Sequence, residues 1–358
     1  MEGFLAKVYE GSSDGIVAFS ALGLTTTLGS GGLASKSSFF KIPLAKPSGC
    51  KVNTGILSVS LTAPPTVKTP FRWRLELDGL TISREAKPQF TVPLEDSMFY
   101  KIVFDVKPVL ASKGEHTAIE SHVLRASYDS AHPITIRELS LFKVYSKPRL
   151  EHSALYLTGA IALDPGDSYS VSLSTPRSLG DGDRLLVLTL IIPSPRINLN
   201  LRLNEELTEI SGHGFKLVEI PSIPENVRIT IEYPKPEISI YPKRVLLTNV
   251  LLVENKTPVP PLRIQADDVA VEEGKLKVKL TIANEGSESA EDVSVTLKHA
   301  MLNLKEAKLG SLEPGEVTSV VLEAETSRIP TKAQRLTIRV SWAKDGIMSS
   351  RSIVLDVR

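Results

Sequence analysis

The chain of 358 residues contains one cysteine, Cys50, so its sequence excludes an intramolecular disulfide framework. It also lacks an excess of either charge, because 42 Lys and Arg balance 41 Asp and Glu to a net charge of +1. This balance argues against nucleic acid or an anionic membrane as a partner. Glutamine occurs only at Gln89, Gln265 and Gln334, and depletion of thermolabile amides and thiols indicates a thermophilic source.

Long apolar runs are missing as well. No segment approaches the roughly 18–20 apolar residues of a membrane span. Residues 1–7 lack a basic segment followed by a long apolar one, so we do not expect a signal peptide. Two localisations stay open. The protein is cytoplasmic if Met1 is its native start, and lies at the cell surface if a leader was removed.

Apolar residues alternate with polar ones throughout the chain, and Gly, Pro and Asn separate the alternating segments. Residues 276–282 and 336–342 show this period of two clearly. No window has the apolar spacing of an amphipathic helix. This pattern is typical of β-strands joined by turns, so the sequence predicts an all-β protein.

The last hundred residues carry a more specific pattern, N-x-G, A-x-x-V-x-V-x-L and L-x-P-G-E. The matching residues are Asn284, Gly286, Ala290, Val293, Val295, Leu297, Leu312, Pro314, Gly315 and Glu316. This segment, roughly 262–358, resembles the cell-adhesion-related Ig-like domain (CARDB) of prokaryotic surface proteins. The resemblance implies an Ig-like sandwich without catalytic residues, and it favours a surface location.

The first two thirds of the chain show internal similarity. Six segments match six later ones in the same order along the chain. The pairs are 58–64 with 170–176, 73–77 with 199–203, 80–82 with 207–210, 90–92 with 215–217, 100–104 with 227–231 and 141–148 with 251–258. Collinear matches favour a duplicated module. We therefore predict three tandem β-sandwiches, two jelly-roll-like and one Ig-like, over 1–148, 149–257 and 258–358. The first carries extra N-terminal strands, and the three stand in a row.

Two groups of residues could bind a metal ion. His116, Glu120 and His122 share one parity on a predicted strand, with Val123 facing the core, so Glu120 and His122 could point outward toward zinc. Asp164, Asp167, Asp181 and Asp183 could supply oxygen ligands to calcium. Ordinary polar faces and acidic turns explain both groups more simply. We expect no metal, cofactor or catalytic residue.

Both tryptophans have core parity. Trp73 alternates with Arg72 and Arg74, and Trp342 lies on the apolar face of residues 336–342. Buried tryptophans weaken the case for glycan binding, which usually needs exposed aromatic rings. We therefore expect a non-enzymatic structural or protein-interaction protein, a subunit of a surface or filament assembly with protein partners or self-association. A carbohydrate-binding protein and a hydrolase with a site in interdomain loops remain alternatives.

Overall fold

The structure is a computed structural model that describes residues 1–30, 35–44, 50–112, 121–147, 150–179, 183–204, 206–235, 243–256, 260–272, 274–286, 288–299, 302–325, 335–344 and 347–356. The predicted all-β class is confirmed, since these residues form strands and one five-residue helix. The chain divides into two compact units, Met1–Thr257 and Pro258–Arg358. No helix within the described ranges is long and apolar enough to cross a membrane.

The first unit contains eighteen strands and the helix. They are β1 (Glu2–Asp14), β2 (Ile16–Leu28), β3 (Ser37–Ile42), β4 (Lys51–Ala63), β5 (Phe71–Leu77), β6 (Leu80–Ala86), β7 (Phe90–Pro93), β8 (Met98–Asp105), α1 (Lys107–Ala111), β9 (His122–Ser127), β10 (Ile134–Ser146), β11 (Glu151–Leu163), β12 (Ser168–Ser174), β13 (Asp183–Ile192), β14 (Asn198–Leu203), β15 (Glu206–Ser211), β16 (Gly214–Pro221), β17 (Asn226–Glu232) and β18 (Val245–Lys256).

These strands form two antiparallel sandwiches. In the first, a five-stranded sheet of order β2-β10-β4-β8-β7 packs against a four-stranded sheet of order β3-β9-β5-β6. In the second, a sheet of order β1-β11-β18-β13-β16 packs against one of order β12-β17-β14-β15. Each has its own apolar core. Trp73 lies in the first core with 3% of its surface exposed, which confirms the parity argument.

The two five-stranded sheets also pack face to face. Phe142 and Val144 of the first sandwich meet Tyr156, Leu251 and Val253 of the second in an apolar cluster. Strands covered on both faces have apolar residues at consecutive positions, as in residues 245–247 and 250–253. The expectation of sandwiches in a row is therefore wrong for these two, because their inner sheets bury each other.

The N-terminal strand departs from the expected domain boundary. β2 pairs with β10 of the first sandwich, but β1 pairs with β11 of the second over almost its whole length. The chain passes from one five-stranded sheet to the other at Gly15, whose N–H donates to the Leu150 carbonyl at 2.7 Å. Residues 2–14, expected with the first sandwich, thus extend the second.

The order of connections is the same in both sandwiches once β1 is set aside. The five strands β2–β6 correspond in order to β11–β15. Strand β8 corresponds to β16, β9 to β17 and β10 to β18, which leaves β7 as an additional strand of the first sandwich. Three of the sequence matches join corresponding strands: β5 with β14, β6 with β15, and β10 with β18. The other three, β4 with β12, β7 with β16 and β8 with β17, are wrong, because alternation alone does not tell similar strands apart.

The second unit is a seven-stranded sandwich. Its strands are β19 (Leu262–Glu272), β20 (Lys275–Asn284), β21 (Ala290–His299), β22 (Leu302–Leu312), β23 (Val317–Glu325), β24 (Arg335–Lys344) and β25 (Ile347–Asp356). The sheets have the orders β19-β20-β23 and β22-β21-β24-β25. Buried Asn284 ties two turns together, since its Nδ2 donates to the Leu312 carbonyl and its Oδ1 accepts from Gly286 N. Trp342 is buried here, and its Nε1 donates to the Pro260 carbonyl.

Candidate functional site: an arginine-lined face

A polar network lies between the two inner sheets. Lys101 Nζ donates to the Thr248 carbonyl at 2.9 Å and to Asn249 Oδ1 at 3.0 Å, and lies 3.6 Å from Glu138 Oε2. Glu138 also accepts hydrogen bonds from Ser60 and from Thr189. The network joins side chains of both sandwiches, and neither Lys101 nor Glu138 is exposed.

Burial shapes the ionisation of this network. Desolvation lowers the pKa of Lys101 to about 8, against the opposing effect of Glu138. The same desolvation raises the pKa of Tyr156, whose hydroxyl donates to Asn249 Oδ1, to about 12. Such groups resemble those of active sites. Their complete burial keeps them from contact with a solute, so the network specifies how the sandwiches pack.

A second buried cluster surrounds His122. Its Nδ1 lies 2.7 Å from Asp78 Oδ2 and its Nε2 lies 2.9 Å from Lys143 Nζ. An ammonium only donates and a carboxylate only accepts, so the ring proton is on Nδ1. The prediction that His122 points outward is wrong: His122 is 1% exposed, whereas Val123 is 42% exposed. The strand begins at His122, and the Asp78 carboxylate holds the imidazole inside.

The other predicted metal ligands fall into two groups. Four of them lie outside the described residues: His116, Glu120, Asp181 and the side chain of Asp183. Asp164 pairs with Arg244 at 2.9 Å, and Asp167 pairs with the amino group of Met1. No group of three or more potential ligands occurs in the part of the chain that the structure describes.

An open concavity of 520 Å³ lies on the outer face of the four-stranded sheet β3-β9-β5-β6. Its volume is within the ~300–1,000 Å³ typical of ligand pockets. Half of its ten lining residues are cationic. We call these five the arginine face: Lys36, Arg72, Arg74, Arg84 and Arg125.

Local strand geometry explains how the arginine face forms. On β5 the side chains of Phe71, Trp73 and Leu75 turn into the core, so Arg72 and Arg74 point outward. Arg125 is exposed on β9, between buried Leu124 and Ala126. Pairing of β5 with β6 and with β9 then brings arginines that are distant in sequence onto one surface.

Intramolecular carboxylates compensate only part of this charge. Glu76 pairs with Arg74 at 2.5 Å and with Arg125 at 3.4 Å. Lys36 pairs with Asp129 at 3.2 Å. Neither Arg72 nor Arg84 forms an ion pair within the described ranges. Two exposed guanidinium groups are therefore available for an external anion.

The corresponding face of the second sandwich has different chemistry. Its smaller concavity, 270 Å³, is lined mainly by hydroxyl and amide side chains, and its one charged lining residue is Arg228. The nearby Arg202 is neutralised by Glu232 at 3.0 Å. Cationic side chains on the outer sheet are thus not required by the shared architecture.

The arginine face was not singled out from the sequence. Alternation placed Arg72 and Arg74 opposite Trp73, but Arg84 and Arg125 come from other strands. The sequence signal was limited to the outward parity of Arg72 and Arg74, because exposed acidic residues are as common as arginines in this segment. Recognising the arginine face required the pairing of β5 with β9, which alternation does not specify.

Comparisons with known proteins leave the family open. No family model and no curated protein matches the chain, so the CARDB resemblance stays a prediction. Among solved structures, a β-glucuronidase from Ruminococcus gnavus is similar over 57% of this chain and 36% of its own, with 11% identity and a TM-score of 0.24. A putative β-galactosidase from Bacteroides fragilis matches over 58% and 33%, with 13% identity and a TM-score of 0.23. These TM-scores carry no functional argument.

Proposed function

We propose that the protein is a non-catalytic interaction protein, a subunit of a larger assembly, that contacts an anionic partner through the arginine face. One observation carries this proposal: Arg72 and Arg84 are exposed at an open concavity and form no ion pair in the described part of the chain. Guanidinium groups bind carboxylate, sulfate and phosphate groups in bidentate geometry, so uncompensated arginines favour an oxyanion as partner.

The remaining ionic clusters support a structural role for the rest of the first unit. Lys101, Glu138 and His122 are buried, and their partners are other protein groups. A group that no solute can reach takes no part in hydrolysis. These buried groups therefore support packing within the first unit, and the proposal assigns recognition to the arginine face.

Charge reversal tests the proposal. The double variant R72E/R84E is compared with R196E/R228E, which changes the net charge equally at two exposed arginines of the second sandwich. Binding to immobilised heparin and to poly-L-glutamate is measured across a salt series. We expect R72E/R84E to lose retention and R196E/R228E to keep it. Equal losses in the two variants, or no retention of the unmodified protein, would overturn the proposal.

A further inference from the structure

The chemistry around the arginine face indicates which anionic partner it suits. Protein interfaces have an apolar centre surrounded by polar residues. Here the exposed large apolar side chains of the same sheet, within the described residues, are Phe39, Leu80 and Val123, and none of them lines the concavity. The Arg125 guanidinium lies 5.4 Å from the centre of the Phe39 ring. The concavity is lined instead by arginines and by hydroxyl side chains such as Ser37 and Ser127. Such a surface suits a ligand rich in hydroxyl and oxyanion groups.

The arrangement of the cations points to a polymer. Arg72 and Arg74 lie two residues apart on β5, while Arg84 and Arg125 lie on the strands at either side. Neighbouring strands are about 4.8 Å apart, and alternate residues along a strand are about 6.8 Å apart. The cations are thus spread both along one strand and across neighbouring strands. This spacing suits a ligand whose charged groups repeat along a chain.

Trp73 provides a reporter for this surface. It is among the residues that line the concavity, while its side chain is 3% exposed and packs in the core beneath the arginines. A ligand that covers the arginine face should therefore change the surroundings of this indole.

We infer that the arginine face binds an acidic polysaccharide, a chain of sugars bearing carboxylate or sulfate groups. Arg72 and Arg84, which form no ion pair within the described residues, bind the oxyanions. This inference rests on the proposed function and specifies its ligand. An acidic polypeptide is the competing ligand, and the experiment separates the two.

The two tryptophans make a direct binding assay available. The W342F variant leaves Trp73 as the sole tryptophan, so its fluorescence reports on the arginine face of the full-length chain. This protein is titrated with polygalacturonate, heparin, poly-L-glutamate and neutral dextran at constant ionic strength. We expect polygalacturonate or heparin to change the emission of Trp73 and to bind more tightly than poly-L-glutamate. Dextran should have no effect.

Two substitutions in the W342F background complete the test. R72A/R84A should weaken polysaccharide binding by about tenfold or more, since hydrogen bonds to charged groups contribute about 1.5–3 kcal/mol each. R196A/R228A, the matched control, should bind as before. Circular dichroism verifies that both variants are folded.

Each outcome has a distinct meaning. Tighter binding of poly-L-glutamate, lost in R72A/R84A, would overturn the polysaccharide inference and leave the proposed function intact. Polysaccharide binding that survives R72A/R84A would overturn both. Polysaccharide binding without any change in Trp73 emission would place the ligand away from the concavity and overturn the polysaccharide inference.

Discussion

At the scale of single residues, Lys101 shows how a charged group is accommodated in a protein interior. Its ammonium has three acceptors nearby: the Thr248 carbonyl, the Asn249 amide oxygen and the Glu138 carboxylate. Even so, desolvation dominates and its pKa falls to about 8. Buried ion pairs of this kind seldom add stability compared with apolar residues of similar size. Their hydrogen bonds instead specify which surfaces pack together.

The lowered pKa predicts an unusual dependence of stability on pH. Between pH 8 and 10 the unfolded lysine is protonated while the folded one loses its proton, so the unfolded state binds more protons. The contribution of Lys101 to stability therefore rises with pH in this window, by about 2 kcal/mol. The free energy of unfolding, measured with denaturant, should rise less from pH 8 to 10 in K101M than in the unmodified protein. Equal slopes would contradict the assignment.

At the scale of secondary-structure elements, β1 and β2 join the two sandwiches. The strands are consecutive, yet one extends the sheet of the second sandwich and the other that of the first. Arg244 fixes the start of β1, since it pairs with Glu2 at 2.8 Å and donates to the Pro93 carbonyl of the first sandwich. The N-terminal segment thus pairs within its own chain, with a different sandwich for each of its two strands.

Removal of residues 2–14 should affect the second sandwich more than the first. The deletion leaves β11 as an edge strand and removes its hydrogen bonds to β1. Amide hydrogen exchange should become faster at β11, while β4, in the middle of the first sandwich, keeps its protection. Unchanged exchange at β11 would show that β1 does not pair there in solution.

A close approach of two strands gives a second prediction at this scale. A Cβ at Gly23 on β2 would overlap the side chain of Phe215 on β16, so these strands approach closely only because Gly23 has no side chain. G23A should destabilise the protein by about 1–3 kcal/mol through overpacking. Adding F215A should recover part of this loss, which a double-mutant cycle of unfolding free energies measures. An additive cycle would contradict the contact.

At the scale of the whole molecule, the chain contains two compact units, each with its own core. The first unit contains the two sandwiches that share a strand order. Their inner sheets pack together through an apolar cluster and the Lys101 network. The shared order supports the proposal of a duplicated module. The second unit holds a separate sandwich of two sheets, with Asn284 and Trp342 each bonded within it.

The two tryptophans should report separately on the two units. Asn249→Ala removes an acceptor from Lys101 and from Tyr156, so the first unit should lose about 1–3 kcal/mol of stability. In the W342F background, the thermal midpoint followed by Trp73 should fall. In the W73F background, the midpoint followed by Trp342 should stay where it was. A parallel fall in both would mean that the units unfold together.

The sequence by itself determined the class of fold and many inward-facing residues. Alternation identified the burial of Trp73 and Trp342, because a strand with one face against a core must place apolar residues at every second position. It also located the turn at Gly315, whose positive φ of 76° favours glycine.

Tertiary structure alone decided which strands pair and which faces meet. Residues 245–247 and 250–253 are apolar at consecutive positions, so alternation does not show that one face covers a second sheet. The partner of β1, the inward turn of His122 and the assembly of the arginine face depend on contacts between distant segments. Alternation with a period of two shows which residues of a strand are buried, but it does not show which other strand pairs with it.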